Sequence, residues 1–226
     1  MPTTPPQTRQ AAGPLPRVLL TGFDAFGGDS LNPSWLAVRA LHGRRIGKHQ
    51  VVAAQLPTVF DAARVALTRL LRDHKPALVI AVGQAGGRAA ISLERIAINV
   101  NDARIADNAG GQPVDTPVLA GGPAAYFTTL PIKAILQALQ REGIAAEVSQ
   151  TAGTFVCNHV FYGLMHELAT RRGFQRTRGG FIHVPWLPEQ GQPSMTTQEL
   201  VRGLRVAIAT ALATPRDIRK GAGALS

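Results

Sequence analysis

Cys157 is the only cysteine in the chain. It lies in SQTAGTFVCNHVFYGLMHEL (149–168), where a short strand and a turn of small residues run straight into a helical pattern. A thiol at a helix N-terminus faces unpaired N–H groups and the positive end of the helix dipole, which favour thiolate and lower its pKa. A lone cysteine is more often a small, packed core residue; the strand-to-helix turn is what argues for chemistry here. A thiolate nucleophile calls for a histidine to pair with it and to protonate the leaving group. Six histidines are available. His42, His49 and His74 fall among polar residues at helix ends or loops. His159 and His166 lie on the helix after Cys157, where a histidine is usually packed or solvated. His183 differs, because it ends the apolar run GGFIH (179–183) and enters the proline-rich turn VPWLPEQ. Sites in parallel α/β sheets form at the carboxyl ends of strands, which would bring Cys157 and His183 together.

A third group should orient the imidazole. The segment LERIAINVNDARIADNAGGQP (93–113) offers Glu94, Asp102 and Asp107. Glu94 has apolar neighbours in a strand pattern, where an unpaired carboxylate is costly. It therefore needs an imidazolium or an arginine such as Arg95 or Arg104, and a structural ion pair weighs equally with a catalytic role. Other chemistries fail on spacing. His166-Glu167 is followed by Leu-Ala-Thr, so no H-E-x-x-H zinc motif forms, and no serine sits in a G-x-S-x-G elbow. The glycines of GQAGGR (83–88) follow a strand and could approach a phosphate. They match neither G-x-G-x-x-G nor a P-loop, which leaves a nucleoside phosphorylase-like enzyme as an alternative reading. No metal or cofactor is implied.

The elements that must position these residues read as alternating strands and helices. Strands are expected at Val18–Phe23, Val51–Leu56, Leu78–Gly83, Ile91–Val100, Glu147–Gln150 and Gly180–Val184. Helices are expected at Ser34–Leu41, Val59–His74, Pro131–Arg141, Asn158–Arg172 and Thr197–Leu212. In the second helix Ala63, Leu67, Leu70 and Leu71 share one face. Asn32-Pro33 is a helix start, while Lys75-Pro76 and Gly143 are helix stops. The fold class is α/β: one domain with an open, mostly parallel, twisted sheet and helices on both faces. Its expected span is 17–215, between a disordered proline-rich tail (1–16) and a flexible C-terminal tail (216–226).

A length of 226 residues, 45% of them hydrophobic and 17% charged, suits one globular domain with a substantial core. One cysteine forms no internal disulfide, which points to a reducing, cytoplasmic setting. The first residues lack the apolar run of a signal peptide, and no apolar stretch is long enough to span a membrane. The net charge of +10 raises a basic nucleic-acid-binding module as a further alternative. The basic residues are scattered, apart from Arg171, Arg172, Arg176 and Arg178 and a trio at Arg216, Arg219 and Lys220. No aromatic platform interleaves with them. A solvated surface with neither a nucleic-acid nor a membrane partner is expected.

The motifs TGFDAFGG (21–28), NPSW (32–35), VGQAGGR (82–88), ERIAINVNDARIADN (94–108), TAGTFVCN (151–158) and FIHVPWLPEQ (181–190) together resemble the pyroglutamyl peptidase I (pyrrolidone-carboxylate peptidase) family, from about Arg17 to the last helix. The resemblance implies a cytosolic cysteine exopeptidase that removes N-terminal pyroglutamate from peptides and assembles as a homotetramer. The catalytic residues it implies are Glu94, Cys157 and His183, with Arg104 on the oxyanion side. It implies a lactam pocket from Phe23, Phe26, Gln84, Ile105, Phe155 and Val156, with Thr58 nearby. Ala25 stands where the family commonly has proline, and the N-terminal tail is an addition.

Overall fold

The computed structural model describes residues 15–223. Most of the expected N-terminal tail, residues 1–14, lies outside the described residues. The elements run β1 (Arg17–Phe23), α1 (Pro33–Arg39), β2 (Arg45–Ile46), β3 (His49–Leu56), α2 (Phe60–His74), β4 (Leu78–Gln84), β5 (Ile91–Glu94), β6 (Ile96–Ile98), β7 (Ala125–Phe127), α3 (Ile132–Arg141), β8 (Ala146–Ser149), α4 (Val156–Thr170), β9 (Arg178–Val184) and α5 (Thr197–Ala213). Seven strands form one sheet in the order β2-β3-β1-β4-β9-β5-β8. The pairs β1–β3, β1–β4, β4–β9 and β5–β8 are parallel, whereas β2–β3 and β5–β9 are antiparallel.

The central strands β1, β4 and β9 are buried along almost their whole length, as near-continuous apolar runs require when both faces are covered. Their side chains alternate between two cores. Val18, Leu20, Ile80, Val82, Ile182 and Val184 face α1, α3 and α5. Leu19, Val79, Ala81 and Phe181 face α2 and α4. Burial on α2 follows Phe60, Ala63, Leu67 and Leu71, while Leu70 is only half-buried. Local chemistry sets the helix ends. Asn32 Oδ1 accepts from Ser34 N with Pro33 at the first turn, Lys75 closes α2 in the left-handed region, and Thr196 with Glu199 forms a capping box on α5.

The expected long strand 91–100 is two strands in different sheets. β5 ends at Glu94, and β6 leaves to pair with β7 in a separate two-stranded sheet. The Asn158 amide draws it away, accepting from Ile98 N and donating to the Ile98 and Val100 carbonyls. Strands β2 and β7, of two and three residues, are too short to show a period and were not expected. In the C-terminal segment Asp217 is tied down, accepting from the N–H groups of Lys133 and Ala134 at the start of α3. No helix among the described residues is long and apolar enough to cross a membrane.

Gly22 on β1 fixes how closely α1 approaches the sheet, since a Cβ there would lie 2.8 Å from the Ser34 and Trp35 backbone. Backbone atoms cannot swing aside as a side-chain tip can. Gly22→Ala is expected to destabilise the fold by about 1–3 kcal/mol, as overpacking does. Calorimetry should read this as a lowered melting temperature, and an unchanged midpoint would show that α1 shifts without cost.

Candidate active site

Strand alternation brings three of the expected residues to one place. On β9, His183 follows Phe181 by two residues and so shares its face, the side that α4 covers. Gly83 on β4 is the parallel register partner of His183, and a Cβ on Gly83 would lie 2.8 Å from Cys157 Sγ. The thiol therefore sits over the bare backbone of Gly83, one strand away from His183. Glu94 arrives from the other side. Ser92 is directly opposite His183 in the antiparallel β5–β9 pair, so Glu94, two residues on, is a diagonal neighbour within reach of a long side chain. Its Oε1 is 2.7 Å from His183 Nδ1. An Nδ1–H donating to that carboxylate leaves Nε2 as the nitrogen able to take a proton.

Glu94 is 0% exposed, and its second partner was missed in the sequence. Arg88 Nη1 donates to the same Oε1 at 2.7 Å. The arginines expected there lie elsewhere: Arg95 Nε donates to Gln150 Oε1 at 2.9 Å, and Arg104 is exposed. The competing readings of Glu94, ion pair and histidine partner, are thus both realised. The glycines of 83–88 also acquire a use other than phosphate binding. Gly83 seats the thiol, Gly86 lies against the Trp186 indole, and Gly87 takes a positive φ of 82°.

The expected pocket residues divide by depth. Phe26 and Phe155 lie tilted against each other with ring centroids 6.1 Å apart, and Phe60 packs edge-on against Phe155 at 5.3 Å. Gln84 and Ile105 reach the surface, and the Gln84 amide joins Asp29 and Gln190 in a polar cluster. Phe23 and Val156 are packed into the α2/α4-side core, so at most they form an inner wall. Thr58 is buried, with its N–H donating to Asp24 Oδ1. A cavity of about 600 Å³ adjoins the other side of this aromatic cluster, lined by Phe60, Asp61, Asn101, Asp107 and His159 among others. It contains none of Glu94, Cys157 and His183. His159 there bonds Asn101 Oδ1 at 3.0 Å, and burial lowers its pKa to about 4, as for a packed histidine.

A family model described as pyroglutamyl peptidase matches residues 16–214. The chain belongs to the pyroglutamyl peptidase family. It is 62% identical over 216 residues to the pyrrolidone-carboxylate peptidase of Cupriavidus taiwanensis, covering 93% of this chain and 100% of that one. It is 52% identical to one from Bacillus cereus, covering 92% and 98%. The crystal structure of pyroglutamyl peptidase I from Bacillus amyloliquefaciens superposes with a TM-score of 0.87 at 50% identity, covering 90% of this chain and 100% of that one. Pyrrolidone carboxyl peptidase from Thermococcus litoralis superposes with a TM-score of 0.88 at 35% identity, covering 92% and 100%.

In this member of the pyroglutamyl peptidase family, burial opposes the thiolate expected from the start of its helix. Cys157 is the second residue of α4. Even so, burial pushes its pKa up from 9.0 to about 12; the Glu94 carboxylate adds to the rise and the Arg88 guanidinium opposes it. A helix dipole is worth about 0.3–1 kcal/mol, less than one pKa unit, so desolvation wins. A thiol whose ionisation is opposed in this way needs a base at the moment of attack.

Two outcomes are expected. Alkylation of Cys157 by iodoacetamide should keep accelerating from neutral pH to about pH 10, because the reactive thiolate grows with pH; a plateau by pH 6–7 would instead mark a preformed thiolate–imidazolium pair. Gly83→Ala should displace the sulfur and lower kcat/KM by about 10²-fold, the scale of a misplaced reacting atom. Circular dichroism would check that the fold is kept.

Proposed function

We propose that the chain is a cysteine-type omega peptidase that removes N-terminal pyroglutamate from peptides, with Cys157 as nucleophile, His183 as base and acid, and Glu94 as the group that orients His183. The observation that carries this reading is the seating of the thiol over Gly83, one strand from an imidazole held by a buried carboxylate. As Sγ attacks the pyroglutamyl carbonyl, its proton passes to His183 Nε2 and the carbonyl π electrons move onto oxygen. α4 has no side-chain cap, so its first N–H groups remain available to an oxyanion. Arg104 is assigned to the oxyanion side on the family resemblance. Collapse of the tetrahedral species breaks the C–N bond, and the His183 proton goes to the departing amine. Water, deprotonated by His183, then attacks the thioester and releases pyroglutamate and the thiol.

The aromatic cluster suits the substrate. Pyroglutamate is a flat lactam without an α-ammonium group, so Phe26 and Phe155 offer a surface for its ring, with Gln84 available to its polar edge. A pocket of this kind discriminates mainly by exclusion of charge. The resemblance also supports a cytoplasmic location and a homotetramer, and sedimentation of the purified protein checks the subunit number.

Cys157→Ser should abolish turnover with the fold intact, and His183→Ala should lose activity almost completely. Glu94→Gln should retain more, since it keeps the shape and loses the charge. Release of a fluorophore from pyroglutamyl, prolyl and glutaminyl amides tests specificity. Prolyl and glutaminyl ends carry an ammonium group whose burial without a partner costs several kcal/mol. A prolyl end also leaves lactam-binding groups unsatisfied, at about 1–3 kcal/mol. The pyroglutamyl amide should therefore be cleaved at least ~10³-fold better by kcat/KM, and comparable cleavage of the prolyl amide would refute the pocket.

A further inference from the structure

We propose that Arg88 is a positioning residue of this reaction: its guanidinium neutralises the buried Glu94 carboxylate and fixes the oxygen that orients His183. The proposal rests on the reading of Glu94, Cys157 and His183 given above.

The geometry makes Arg88 more than a surface ion pair. Its Nη1 and the His183 Nδ1 converge on one oxygen, Glu94 Oε1, each at 2.7 Å. The other oxygen, Oε2, has no hydrogen-bond partner among the described residues. The carboxylate is sealed at 0% side-chain exposure, while Arg88 keeps 28%. The guanidinium thus lies at the rim and supplies the compensating charge that solvent cannot. Its second arm, Nη2, donates to the Thr151 carbonyl in the loop that leads to Cys157. The turn carrying Arg88 is itself pinned beside the histidine, because Ala85 N donates to the carbonyl of Val184, the residue after His183. One side chain therefore ties together the glycine turn, the carboxylate and the approach to the nucleophile.

The charged surroundings are few. Glu94 and Arg88 are the charges acting on the Cys157 thiol, in opposite directions, with His183 one strand away. On the neighbouring strand Glu147 is engaged by the Ser92 hydroxyl, and Arg95 by Gln150. Arg104 stands exposed on the following loop. None of these replaces the Arg88 contact to Glu94. Without it, the anion would have only the imidazole as donor, and the Glu94–His183 unit would hold a proton more tightly. Fewer molecules would then carry a His183 able to take the thiol proton at neutral pH.

The test is the pH dependence of kcat/KM on a pyroglutamyl amide for Arg88→Gln and Arg88→Lys, with melting temperatures measured alongside. Arg88→Gln should move the acid limb to higher pH by about one unit or more, the scale of losing an opposite charge at this range, and lower kcat at neutral pH at least ~10-fold. Arg88→Lys keeps the charge and should keep the acid limb near its wild-type position. In a Glu94→Gln background, Arg88→Gln should have little further effect on kcat, because the charge it balances is gone. This last comparison stays informative even if the single variant is too unstable to assay. An unmoved acid limb in Arg88→Gln, an equal shift in Arg88→Lys, or a further loss of kcat of ~10-fold or more from Arg88→Gln in the Glu94→Gln background would each overturn the proposal. An active Cys157→Ser or His183→Ala would overturn the underlying site instead, whatever Arg88 does.

Discussion

A carboxylate with no solvent contact sits at the end of β5, and much of the neighbouring architecture follows from having to satisfy it. Burying a lone anion costs several kcal/mol, so Glu94 is stable there only because two donors reach it. One comes from the next strand, held at the right level by the antiparallel β5–β9 pairing. The other comes from the turn after β4, whose glycines let it fold tightly beneath Trp186. The imidazole is thereby given one tautomer and one orientation. The same carboxylate, by its charge, also discourages ionisation of the thiol, so orienting the base and restraining the nucleophile have a common source.

That restraint shapes the chemistry. A permanently ionised thiolate reacts with any accessible electrophile or oxidant. A thiol that gives up its proton only when His183 can take it reacts chiefly with a carbonyl placed against it. The enclosure that raises the thiol's pKa is produced by the packing of α4 on the sheet, so the fold and the reactivity cannot be tuned independently.

Much of this was legible in the residues. The apolar runs of β1, β4 and β9 identify strands covered on both faces, and the Cys157 and His183 segments mark strand ends. The Asn32-Pro33 and Lys75-Pro76 pairs mark helix ends. What could not be read depends on contacts between distant segments. The apolar alternation of 91–100 changes phase at Glu94–Arg95, from Ile91 and Leu93 to Ile96, Ile98 and Val100, but only the Asn158 amide and β7 show that the chain changes sheets there. Arg88 lies in a glycine-rich turn that resembles a phosphate loop, and its contact with Glu94, six positions on at the end of β5, has no periodic signature. The opposing effect of burial on the thiol was not legible, because a helix N-terminus is visible in a sequence, whereas the packing around a sulfur atom is not.

The residues flanking the nucleophile also stitch the facing loop to α4. Thr154 and Asp102 exchange hydrogen bonds, Asn158 grips the backbone of Ile98 and Val100, and His159 bonds Asn101. Segment 98–102 and the start of the nucleophile helix are therefore held together by hydrogen bonds from both sides. The conformational entropy of ordering that wall is lost when the chain folds, before any ligand arrives, so binding has little further disorder to remove on this side. Across the site, Asp29 meets the glycine turn and the loop after β9 through the Gln84 and Gln190 side chains, exposed hydrogen bonds that cost far less to open.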